Sequence, residues 1–544
     1  MDAPTKLAEN ASEKEVEDIG GRDALEFWAD LVRIHPVNLE DPAGNRRDKS
    51  RYPEAARRIV QQARAWGLGA RLWDAREELP GGHRRFAEPR PNVIVEVDRG
   101  APDTLAILAH YDVVPVPEEQ RKRWRSDPTV LTRREDGRYY GRGSNDDLGS
   151  GVVGGLVALR DLSRREDLPC NVRWIGCCDE ETGGEGGIEA LRAHDRSLPP
   201  GSPESLITAE FVLIPDGAPY VAAGSSGVSF VDVVWSELEP LGKVGELLQG
   251  LLAFHRQTRQ WRSELPAPPE PGTTRAGPPL PGRATITKMD LEAEGNPGTH
   301  VRLRAAHAHS EAANQIPALV TLKFDGPPGG LEGWAERLRL RPLPPLHDLE
   351  FETFGENELE VRVEGVSGHG GYPHRAANPI LPAVALLEWG VLTRMLDPLA
   401  PVRGRVTVDL RSPPEMDWKE AVGALVGYWD RIRTLVPSAR LRAPASRCRS
   451  GYRVPAEERQ IERFRQIFSR TQNGPVGIYA EYGGTDASAL RGLRTPRGRP
   501  LPALVFGSMD ETAHIHDAEE SALPALVGAV RRALVEFVSS WIPP

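Results

Sequence analysis

"TLAILAHYDVV", Thr104–Val114, is an apolar run that stops abruptly at a histidine and an aspartate. A short run without polar alternation reads as a strand buried on both faces. Its neighbours decide the fold. Downstream, "SGVVGGLVALRDLSRR" (150–165) has helical spacing despite its glycines, and "NVRWIGCCDE" (171–180) is a second buried strand. "GEGGIEALRAH" (184–194) starts another helix, and "AEFVLIPDG" (209–217) is a third strand. Upstream lie the helical patterns "ALEFWADLVRI" (24–34) and "YPEAARRIVQQARAWGL" (52–68), then the strand "NVIVEVD" (92–98). This alternation predicts an α/β domain, a mixed, mostly parallel sheet flanked by helices.

The rhythm changes after residue 222. "GVSFVDVVW" (227–235), "ELEVRVEGV" (358–366) and "RGRVTVDLR" (403–411) alternate as half-exposed strands do, with helical stretches at 242–256, 378–395 and 417–435. The α/β pattern returns past 450, in "IERFRQIFSR", "ALVFGS" and a final helix at 522–541. The expected organisation is a split catalytic domain, 1–222 and 450–544, with an inserted α+β lid at 223–449. The proline-rich stretch 264–284 reads as a mobile insertion within the lid.

The chain has 544 residues, a formal net charge of -10, 39% hydrophobic and 27% charged residues. That balance argues against a nucleic-acid partner, and the arginines of 427–449 read as a solvated helix face. No apolar run reaches membrane-spanning length. The polar, acidic start lacks an export signal, and Cys170, Cys177, Cys178 and Cys448 have no zinc-type spacing. A cytoplasmic protein with buried free thiols is the expectation.

Chemistry concentrates where apolar strands end. In an open α/β sheet, functional side chains gather at the carboxyl ends of strands. Here those ends offer His110 and Asp112, then Asp179, Glu180 and Glu181, then Asp216, and "LVFGSMDETAH" leads to His514. Singly, each has an ordinary explanation, such as a core histidine, a helix-start carboxylate or a turn aspartate. Together, so many like charges at one sheet end call for a cation.

"GRGSNDDLGSGVVGG" (141–155) tests that idea. A phosphate loop needs G-x-x-x-x-G-K-[ST], and this stretch has no lysine. A dinucleotide fingerprint needs a third glycine where this chain has an aspartate, which would repel a pyrophosphate. The glycines instead allow a tight turn that presents Asp146 to a metal.

In order, "HYDVVP" (110–115), "WRSDP" (124–128), "YGRGSNDD" (140–147), "DEETGG" (179–184), "PDG" (215–217) and "AHIHDAEE" (513–520) resemble the motifs of the M20 metallopeptidases. "NQIP" (314–317), "SGHGGYP" (367–373) and "VDLRSPP" (408–414) look most like the long-lid dipeptidase branch. The resemblance implies two zinc ions per chain, with manganese or cobalt as substitutes. It implies that His110 and Asp216 share one ion, Glu181 and His514 the other, and that Asp146 bridges them. Asp112 would fix the His110 tautomer, and Glu180 would be the general base. His369 would stabilise an oxyanion. Asn314, Arg411, Gly483, Gly484 and Thr485 would bind the substrate, Arg411 through its two-donor fork. Two departures stand out. Leu148 replaces the lysine that follows the paired aspartates. The C-terminal motif also offers two histidines, His514 with Glu519 or His516 with Glu520, and Leu523, Leu526 and Val527 suit the first.

The implied activity is two-zinc hydrolysis of an amide bond in a dipeptide or small peptide with a free C-terminal carboxylate. An N-acyl amino acid deacylase and a non-catalytic binding protein on the same fold are the alternatives. The resemblance implies that short-lid members take the counterpart of His369 from a partner subunit and that a lid as long as 223–449 could supply it within one chain, so a monomer with a self-contained site is the expectation.

Overall fold

The computed structural model describes residues 11–37, 50–79, 88–116, 118–199, 201–269, 276–294, 300–310, 315–354, 357–369, 376–455 and 458–543. The chain divides into two compact units. The first comprises Met1–Ser225, Leu265–Pro278 and Tyr452–Pro544; the second comprises Ser226–Glu264 and Pro279–Gly451.

The first unit is built on one nine-stranded sheet. Its centre is parallel: Asn171–Cys177, Thr104–His110, Phe211–Ile214 and Ala503–Val505 run side by side. Its flanks are largely antiparallel. Gly69–Asp74 pairs with Pro91–Val97, which pairs with Asn171–Cys177. On the other side Val221–Ser225 runs antiparallel to Ala503–Val505 and Tyr452–Arg453, and parallel to Ile478–Glu481. The sheet is therefore more evenly mixed than the strand-helix alternation suggests. The reason is loop length. Only a few residues join Pro91–Val97 to Thr104–His110, or Phe211–Ile214 to Val221–Ser225. A parallel crossover needs a dozen or more residues, so the chain reverses instead.

Helices Arg22–Ile34, Tyr52–Ala65, Gly155–Ser163, Gln460–Thr471 and Pro524–Ser539 bury apolar stripes in the same core as the sheet. Trp174 shows why glycines persist in the 150–165 helix. A Cβ on Gly155 would lie 2.7 Å from the Trp174 indole nitrogen, so the helix lies against the indole only without one.

The second unit is a nine-stranded antiparallel sheet with helices Leu241–Thr258, Pro328–Arg339, Ile380–Leu392 and Trp418–Ile432. Alternate residues such as Val231, Val233 and Trp235 join the helices in its core. The described part of the proline-rich stretch includes two short strands. Arg262–Pro266 pairs with Pro279–Pro281, and Leu265 packs against the core of the first unit. All four cysteines are free and buried. Among the described residues, no helix is long and apolar enough to cross a membrane.

His35 ends the Arg22–Ile34 helix in the left-handed conformation. Its buried Nδ1 has no hydrogen-bond partner among the described residues. Burial, reinforced by the charges of Arg142, Arg121 and Arg51, lowers its pKa from 6.5 to about 4. Because the folded value lies below the unfolded one, protonation favours unfolding. The stability is complete above about 6.5 and is lost as pH falls toward about 4. We expect acidification across that window to cost the wild type about 2–3 kcal/mol more than His35→Asn. Urea unfolding at both ends of the window measures it, and equal slopes for the two proteins would refute it.

Candidate active site

The parallel centre of the sheet sends its chemistry to one end. Thr104–His110 lies between Asn171–Cys177 and Phe211–Ile214, so His110, the turn after Cys177 and Asp216 leave the sheet together. Here the structure gathers His110, Asp147 and Asp216, with one ligand atom from each within 4.8 Å of the others. His110 Nε2 lies 3.5 Å from Asp147 Oδ1 and 3.7 Å from Asp216 Oδ1. Its Nδ1 donates to the backbone carbonyl of Asp112 at 3.0 Å, with the Asp112 carboxylate at 3.4 Å. The carbonyl and the carboxylate of Asp112 thus both face Nδ1 and favour the tautomer that leaves Nε2 free of a proton.

That carboxylate has another role. It accepts the backbone N–H groups of Glu180 at 3.0 Å and Glu181 at 3.2 Å. Asp112 therefore anchors the single turn Glu180–Thr182. Asp179, before it, is left-handed with φ 67°, and its carboxylate is held by Arg90 at 2.7 Å. Asp179 and Arg90 are both buried, and they shape the turn that aims the two glutamates.

The glutamates are electrically unlike. Burial pushes the Glu180 carboxyl well up; His110 opposes this, and Asp486 and Glu181 reinforce it. Burial also raises Glu181, but the charge and hydrogen bond of His516 outweigh it and hold Glu181 low. Glu181 Oε1 meets His516 Nε2 at 2.9 Å. His514, the expected ligand, is instead exposed on the same turn. His514 and His516 are both left-handed, at φ 51° and 64°, and this backbone path sends His516 to Glu181. Of the two histidines, His516 is the one brought to Glu181.

The glycine loop winds into a π-type turn, Asp146–Gly154, before the helix Gly155–Ser163. Gly143 precedes it at φ 73°, where a Cβ would come within 2.3 Å of Val113, so the tight turn requires glycine. Asp147 is the aspartate brought to His110. Asp146 opens the turn, and its side chain lies outside the described residues.

The residues expected to bind substrate fare differently. Arg411 is buried, but Nε and Nη2 of its fork meet Asp409 at 2.7 and 2.8 Å. The carboxylate it clasps belongs to its own strand. Thr485 caps the turn Asp486–Leu490, its hydroxyl accepting from Ala487 N at 3.2 Å. Gly483 and Gly484 lie just before it, after the strand Ile478–Glu481. Asn314 lies outside the described residues. His369 is on the strand Gly368–His369, opposite Gln315, so the "NQIP" and "SGHGG" motifs are neighbours in the second unit. The His369 side chain is outside the described residues.

The donor set suits a cation. Burial works against a charge on His110, yet Asp147, Asp112 and Asp216 raise its pKa well above the usual 6.5. Carboxylates that hold a proton on a buried imidazole offer the same field to a metal ion. Imidazole and carboxylate are the ligands of hydrolytic zinc sites.

Fold and site together are of the metallopeptidase type. The chain belongs to peptidase family M20/M25/M40, whose profile matches residues 106–538. Over 214 residues it is 26% identical to an uncharacterized metallohydrolase of Methanocaldococcus jannaschii, covering 38% of this chain and 48% of that protein. Over 170 residues it is 29% identical to human beta-Ala-His dipeptidase, covering 30% of this chain and 32% of that one. The matched stretches thus span about half of one relative and a third of the other. Among solved structures, an M20 family metallo-carboxypeptidase from Sulfolobus solfataricus has a TM-score of 0.57 at 13% identity, covering 95% of this chain and 98% of that one. A di-peptidase from Saccharomyces cerevisiae has a TM-score of 0.57 at 12% identity, covering 99% and 100%. These two likenesses show the fold.

Proposed function

We propose that this protein hydrolyses the amide bond of a dipeptide or small peptide with a free C-terminal carboxylate, using two zinc ions. The carrying observation is the buried cluster of His110, Asp147 and Asp216 beside the Asp112-anchored glutamates, where burial raises Glu180 and His516, at 2.9 Å, lowers Glu181. One carboxylate that stays ionised and one that readily accepts a proton divide the work of ligand and base.

His110, Asp147 and Asp216 would hold one ion, and Glu181 with His516 the other. The family pattern reserves Asp146 as the ligand shared by both. When bound, the ions supply Lewis acidity to the attacking water and the scissile carbonyl. Glu180 takes the proton from the water and returns it to the leaving nitrogen. Burial raises its carboxyl pKa, which favours uptake of that proton. Asp112 keeps both glutamates and the His110 ring in place. His369 is assigned the developing oxyanion. Asn314, Arg411, Gly483, Gly484 and Thr485 are assigned the substrate.

Two experiments test this. Elemental analysis should find two zinc ions per chain. A panel of dipeptides and N-acyl amino acids, with zinc, manganese or cobalt, should show peptide turnover; cleavage of the N-acyl compounds alone would make the enzyme a deacylase. No metal and no turnover under any of these conditions would leave a binding protein.

The four buried thiols support a cytoplasmic location. The site is proposed to be complete within one chain. Specific activity should therefore be constant on dilution from micromolar to nanomolar, and a second-order loss would show that a second copy is required.

A further inference from the structure

Arg142 takes no part in the chemistry above, yet its side chain is completely buried. A buried guanidinium persists only with partners. One of its nitrogens donates to the Glu520 carboxylate and another to Oε1 of Gln120. Both partners lead to the turn that carries His516. Gln120 Nε2 donates to the His516 carbonyl at 2.8 Å and to Asp517 Oδ1 at 3.4 Å. The Glu520 carbonyl accepts from Gly141 N at 3.1 Å, and Arg142 N donates to Pro128 O at 2.8 Å.

That turn needs holding. His514, His516 and Glu519 lie at φ 51°, 64° and 67°. Left-handed backbone is strained for a residue with a Cβ and survives only where the surroundings enforce it. Arginine has donors and no acceptor, so it meets the oxygen end of the Gln120 amide. The NH2 end is thereby turned to the His516 carbonyl. One buried cation thus orients the amide that fixes the backbone of a candidate ligand.

We propose that Arg142 and Gln120 form a positioning clamp, in which Gln120 holds the His516 backbone so that Nε2 meets Glu181. The proposal rests on the two-ion reading for what His516 does there. Gln120→Glu is the decisive variant. Its carboxylate still satisfies Arg142 but presents an acceptor to the His516 carbonyl and a like charge to Asp517. Gln120→Ala removes the donor without adding charge.

The test is zinc titration of the full chain against a competing chelator, with melting of each metal-free protein measured alongside. The wild type should bind two zinc ions. Both variants should bind the second ion about 10–100-fold more weakly, with metal-free melting within a few degrees of wild type. Unchanged affinity overturns the clamp. So does an affinity that falls only in step with metal-free stability, or failure of both variants to fold, because Gln120 would then be a structural residue. If the wild type binds no zinc, the two-ion reading fails by itself. The clamp is then judged by the His516 ring-proton NMR signals, which shift in Gln120→Glu if it holds and stay fixed if it does not.

Discussion

Glu180→Gln should lower kcat about 1,000-fold while leaving the metal content and melting temperature of the protein unchanged. Glutamine keeps the size and the hydrogen-bonding reach but cannot take a proton. The backbone N–H of residue 180 still reaches Asp112, so the turn that aims Glu181 survives. Its neighbour gives the control. Glu181→Gln should lose activity together with metal, because that carboxylate is the one His516 holds low. Metal analysis and turnover on the same preparations separate the two glutamates. More than a tenth of wild-type turnover in Glu180→Gln, or loss of metal from it, would exclude Glu180 as the base.

The second large effect separates the two histidines of the C-terminal motif. His516→Ala should lose one of two metal ions and at least about 100-fold in turnover. His514→Ala should keep both ions and stay within about threefold of wild type, as exposed substitutions outside a site do. His516 contacts Glu181 and His514 does not, although the two are only two residues apart. The reverse pattern would restore the register in which His514 pairs with Glu519.

These histidines show what the sequence carries and what it hides. Strand ends were legible because a buried parallel strand is a continuous apolar run, and a charge marks where burial stops. That reading singles out His110, Glu180, Glu181 and Asp216. The direction of a ring on an irregular turn depends on the sign of φ at each residue, and spacing does not encode it. The same limit applies to Asp147, which the wound turn brings to His110. Arg411 is a different case. Residues two apart on a strand share a face, so its contact with Asp409 followed from the letters alone. The antiparallel flanks were also legible, in connections too short for a crossover. Strands such as Arg283–Ala293 and Arg302–Ala308 were not, because a register shift in each, between Ile286 and Lys288 and between Leu303 and Ala305, breaks the alternation.

The place of Ala503–Val505 in the sheet has a consequence for synthesis. It lies between Phe211–Ile214 and Val221–Ser225, strands made roughly 280 residues earlier. At about 5–20 residues per second the ribosome leaves that gap open for roughly 15–60 s. During that interval the nascent chain carries two unpaired apolar edges at the heart of its first unit. The second unit has all its own strands before the gap is filled. A chain arrested between residues 451 and 503 should therefore hold a finished second unit beside an incomplete first one. That is the stage at which a chaperone has most to cover.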